Sequence, residues 1–217
     1  MNAVLNDIVT DARKAINESG ANEAEFFTGS DEDELDALIE SKVTEAVDWV
    51  HSSAALEVMS GDAFTHESVP STGTKSVDVA DMIRFIQGKG NDWRNAVREL
   101  TEEGTMEYAI ATDEYVGASI DRPAVLLEYV NGGKTLSLLP EGQAQEGSLG
   151  SVVYIDKAAI TTSDNVSSVP IDSNLYAAMV EYLAGLVLMV LNDNRGENMI
   201  QLAKSMIGMD INKNGQG

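Results

Sequence analysis

The sequence contains no cysteine, which excludes disulfides, thiol nucleophiles and thiolate metal sites. It has only two histidines, His51 and His66, with no HExxH spacing for zinc and no GxSxG elbow for a serine triad. Basic residues are scarce: 14 stand against 36 acidic ones, a formal net charge of −22. A module that binds nucleic acid by neutralising phosphates needs a net basic face, so that class is disfavoured. Long apolar runs are also missing, apart from Leu175 to Leu191. That stretch is short for a bilayer and contains Glu181, so a buried core helix is expected there. Met1 to Ile16 carries Asp7 and Asp11 and lacks the apolar segment of a signal peptide. The expected setting is a reducing cytoplasm, or a particle assembled there.

What is present is patterned. Val4, Ile8, Ala12 and Ile16 fall on one helical face. Ser30 stands as an N-cap before Asp31, Glu32, Asp33 and Glu34, which suit a helix N-terminus. Leu35, Leu38, Ile39, Val43, Ala46, Val47 and Val50 then step by three and four, which predicts an amphipathic helix over 30–50. Residues 1–67 hold 16 acidic and 3 basic residues. Ser, Thr, Gly and Pro from Ser68 to Ser76 predict a loop. Strands are expected over 79–86, 124–130, 134–139 and 151–155, the last three as a meander, with a short helix over 104–111. Asn131-Gly132-Gly133 supplies the positive-φ residues of a tight hairpin. Pro170 and Asp172 open a long helix at about Ser173, and a last helix covers 198–207.

The expected fold class is α+β: a mainly helical bundle formed by residues 1–67 and 168–217, with a small antiparallel sheet inserted over 77–160.

Local motifs offer little chemistry. Asp210-x-Asn212-x-Asn214-Gly215 opens like a calcium loop, but no bidentate Glu follows at the required position. Gly73-Thr74-Lys75-Ser76 lacks the spacing of a phosphate loop, and Gln87-Gly88-Lys89-Gly90 is too short to cradle phosphate. Carboxylate pairs such as Asp113 and Glu114 follow from the acidic composition alone. No catalytic, cofactor-binding or metal-binding residue is therefore assigned, and no enzymatic activity is expected.

One segment departs from this background. Residues 84–98 carry Arg84, Lys89, Arg94 and Arg98 around Trp93, opposed only by Asp92. Arg and Trp are the residue types that anchor protein interfaces. A ring built head to tail needs two different complementary faces on each subunit. This basic stretch and the acidic N-terminal third would supply them. Trp49, Arg84, Trp93, Arg94 and Arg98 are the candidate subunit-interface residues.

The order of these patterns resembles the head-to-tail adaptor, or connector, proteins of tailed bacteriophages, most of all the ring proteins of crAss-like phages. The resemblance rests on the acidic helix Ser30 to Val50, then Asp81-Met82-Ile83-Arg84-Phe85, then Asp92-Trp93-Arg94-Asn95-Ala96-Val97-Arg98-Glu99-Leu100. Tyr108, Arg122-Pro123-Ala124, Gly133-Lys134-Thr135-Leu136 and Pro170 to Asn192 follow in the same order. It covers roughly residues 1–207. A longer loop at 60–76 and a Gly- and Glu-rich excursion from Pro140 to Gly150 depart from the pattern.

The resemblance implies a homo-oligomeric ring, often of twelve copies, at the portal–tail junction of a virion assembled in the host cytoplasm. It implies contacts with the portal protein and with neighbouring tail or ring proteins. DNA would pass through the lumen without specific binding, and no cofactor or membrane is implied. Another ring of the tail stack, such as a gatekeeper or tail terminator, is the near alternative. A small hydrolase or sugar-binding domain using Asp113 and Glu114 is the distant one.

Overall fold

Apolar residues at steps of three and four become helices in the computed structural model, which describes residues 1–18 and 30–209. In chain order, β1 (Asn2–Val4) leads into α1 (Leu5–Glu18) and α2 (Ser30–Ser53). Strands β2 (Thr65–Pro70), β3 (Ser76–Asp78), β4 (Met82–Gly90) and β5 (Leu100–Glu102) precede the short helix α3 (Met106–Ala111). Then come β6 (Ala124–Val130), β7 (Gly133–Leu139), β8 (Ser148–Asp156), β9 (Thr161–Ser163) and β10 (Val166–Pro170). Helices α4 (Tyr176–Val190) and α5 (Arg195–Met206) close the described chain. The side chains of Ser30, Asp31 and Glu32, and the Asp210 to Gly215 pattern, lie outside the described residues.

The expectation of a mainly helical bundle is overturned. Among the described residues there are five α-helices and ten strands in three sheets, with 38% of residues helical and 30% in strands. Two compact units result: one from Met1–Ala63 with Lys157–Gly217, the other from Phe64–Asp156.

In the first unit, α4 packs against α1, α2 and α5. Ile8, Ile39, Val43, Val47, Met179, Leu183 and Val187 are fully buried in its core. By length and composition the stretch Ser173–Val190 could span a bilayer, but half of it is buried within this unit. The unit also holds a small sheet, β1-β10-β9. Asp164 and Asn165 both take positive φ between β9 and β10, the geometry of a two-residue hairpin turn. Asp172 is wholly buried, and its side-chain oxygens accept the backbone N–H groups of Ser60, Gly61 and Asn174 at 2.8–3.1 Å. These bonds offset the cost of burying a polar side chain. Its own N–H donates to Nε2 of His51 at 3.1 Å.

The second unit is built from the sheets β2-β8-β4 and β3-β7-β6-β5. Val69, Val152 and Tyr154 of the first share one core with Val125, Leu127, Leu136 and Leu138 of the second. Three further expectations fail here. Strand β8 does not extend the β6–β7 hairpin; it sits between β2 and β4. The inserted part is also not purely antiparallel, because β5 runs parallel to β6 with α3 in the crossover. The loop expected from Ser68 starts inside β2, whose polar residues pair along β8 with only Val69 fully buried.

Candidate interaction surface

The basic segment hangs from the end of β4. Gly88 and Val97 exchange both backbone hydrogen bonds at 2.8 Å, so residues 91–97 fold back on the strand. Trp93 fills the inside of that bend. It is 3% exposed, and its Nε1 donates to the Pro140 carbonyl at 3.1 Å. Asn91 donates to the carbonyls of Gln143 and Ser148, at 3.0 and 2.8 Å. The excursion from Pro140 to Gly150 therefore buttresses the basic segment from behind.

This places the five interface candidates differently. Trp93 is a core residue whose polar atom is satisfied within the unit, so it cannot reach a neighbour without unfolding the bend. Arg84 is half-buried in β4. Trp49 belongs to the other unit, where it stacks face to face on Tyr182 with ring centroids 3.8 Å apart. Only Arg94 and Arg98 are exposed. Arg94 meets Asp121 at 3.2 Å, but both side chains are largely solvated, so this pair contributes on the order of 0–1 kcal/mol.

Asp121 leads to a surface that sequence patterns do not mark. Thr105 caps α3 by accepting the N–H of Tyr108, and the Tyr108 hydroxyl donates to Glu128 on β6 at 2.7 Å. The hydrogen bond to this carboxylate pushes the phenol up to about 12. Ser137 donates to the other Glu128 oxygen, which pins α3 to the sheet. After α3, Asp113 accepts the N–H groups of Tyr115 and Val116, and these bonds hold its carboxyl below the usual range. Gly117 completes the loop: a Cβ there would lie 2.2 Å from the Asp113 carbonyl oxygen.

The result is a well-braced loop that displays apolar side chains to solvent. Tyr115 is 90% exposed, Met106 75% and Val116 62%, with Ile110 and Ile120 nearly half exposed. A pocket of about 210 Å³, lined by residues including Ile110, Val116 and Arg122, opens among them. An isolated exposed apolar residue is ordinary, but Tyr and Met grouped beside Arg have the composition of an interface. Of the carboxylates Asp113 and Glu114, Asp113 holds the loop.

Among the described residues no group of three or more His, Asp or Glu is arranged to hold a metal ion. No protein-family model matches this chain. No curated protein matches it either.

Proposed function

We propose that this chain is a structural subunit of a phage head-to-tail adaptor ring, which makes and breaks no bond itself. Its role in this reading is topological. Copies close a ring at the portal–tail junction, continue the DNA channel and offer a platform to the next tail component. The order of sequence patterns described above supports the family, and a ring of about twelve copies is what that resemblance implies.

The observation that carries the reading is the presentation of Arg94 and Arg98. Both are exposed on a bend held rigid by the buried Trp93 and by the Gly88–Val97 pairing. The helical unit presents exposed carboxylates on α2, among them Asp33, Glu34 and Glu40. A closed ring needs such unlike, complementary faces on every copy.

Sedimentation velocity tests this directly, on the protein alone and with portal and tail proteins from the same genome. The expected result is a monomer that forms a large ring or is recruited onto the portal. The double substitution Arg94→Glu with Arg98→Glu should abolish assembly and leave the monomer folded. Intact rings from that variant would refute the contact. A protein indifferent to every virion component would refute the adaptor reading.

A further inference from the structure

From the surface around α3 we infer a docking site for a basic, amphipathic segment of a different protein. Two observations converge on this partner. The first is the braced apolar display of this segment: Ile110 and Val116 line the pocket of about 210 Å³, and Met106 and Tyr115 stand exposed on the same stretch of chain. The hydrogen bonds of Asp113 fix the loop before any partner arrives, so little ordering cost falls on binding. An apolar side chain entering the pocket would displace water from Ile110 and Val116.

The second observation is charge. From Glu99 to Asp121 the sequence holds seven carboxylates and no lysine or arginine, with Arg98 and Arg122 at the two edges. Glu107, Asp113 and Glu114 stand exposed beside the apolar residues. Arg122 also lines the pocket, but the carboxylates of Glu107, Asp113 and Glu114 outnumber it, and such a surface is complementary to lysine or arginine flanking a bulky apolar residue. It disfavours an anionic membrane, which the same carboxylates would repel. The inference does not depend on ring assembly, and a protein that never forms rings could still possess this site.

The test uses the full chain and a short synthetic leucine–lysine peptide, with a leucine–glutamate peptide as control. Amide NMR signals report where each binds. The lysine peptide is expected to shift signals from Met106 to Arg122 saturably, and the glutamate peptide to leave them unchanged. Tyr115→Ser combined with Val116→Ser alters only exposed side chains, so an unchanged urea midpoint is the folding control. This variant should bind the lysine peptide about tenfold more weakly, as expected for loss of an interface anchor. Unchanged affinity in the variant would overturn the inference, because attraction to carboxylates elsewhere would then explain the binding. Self-association of the wild type that the same variant abolishes would overturn it too, and would assign the surface to a second copy.

Discussion

His51 shows how one buried side chain ties stability to pH. It is 2% exposed, and its Nε2 accepts the Asp172 N–H, so the ring is neutral with its proton on Nδ1. Burial is the main cause that lowers its pKa to about 4, partly opposed by the Asp172 carboxylate. The folded value lies below the unfolded value of about 6.5, so the unfolded chain takes up the proton first. The contribution to stability is therefore complete above about pH 6.5 and is lost as pH falls toward 4. Between pH 7.5 and 5 the loss should reach about 2 kcal/mol. Urea unfolding at both pH values measures it, and His51→Gln should show a shallower dependence over the same range. Equal slopes in the two proteins would mean that other groups govern acid stability. Nothing in the sequence marks this role, because it depends on how deeply α2 is covered. Trp93 is the parallel case: its arginine company suggests an anchor, and only the fold reveals that it faces inward.

At the scale of elements, legibility follows periodicity. The steps of three and four from Leu35 to Val50 are helix α2, and Asn131-Gly132 forms the β6–β7 turn with both residues at positive φ. Each is a local signal, set by residues close in sequence. The sheet β1-β10-β9 carries no such signal. Half of Thr161 to Pro170 is Ser or Thr, without apolar alternation, and the sheet's central strand pairs with the chain's first residues. Strand β8 departs from the expected meander for the same reason, since adjacency points to β7 while its partners β2 and β4 lie far upstream. The α3 surface is invisible in the sequence because spacing cannot tell an apolar residue that is covered from one that is not. Gly185 offers an element-scale test. A glycine inside a helix costs about 1 kcal/mol relative to alanine, so Gly185 in α4 needs a reason. A Cβ there would lie 2.8 Å from Ile200 Cγ1 and 2.9 Å from the Gly196 carbonyl oxygen. The α4–α5 hairpin therefore closes through these glycines. Gly185→Val should lower stability by about 1–3 kcal/mol in urea unfolding, as overpacking does. A variant as stable as the wild type would show that the hairpin can open without penalty.

The whole molecule is dominated by its charge of −22, and the proposed function gives that charge a use. A channel for packaged DNA must let phosphates slide, and carboxylates facing the lumen would prevent sticking. A protein that binds duplex DNA releases condensed cations, and its affinity falls steeply as salt rises. This chain has few groups that could do so. In the adaptor reading Arg94 and Arg98 meet protein carboxylates, not phosphates. The assembled protein is therefore expected to leave duplex DNA unretained in a filter-binding assay even at about 50 mM salt, where electrostatic binding is strongest. In the same reading, arginine contacts between copies should weaken as salt rises, because screening acts on exposed pairs. The two measurements separate the roles of the two charge types. Retention of DNA at low salt, lost in the Arg94→Glu and Arg98→Glu variant, would mean that these arginines face phosphates. A nucleic-acid-binding role would then replace the channel lined with carboxylates.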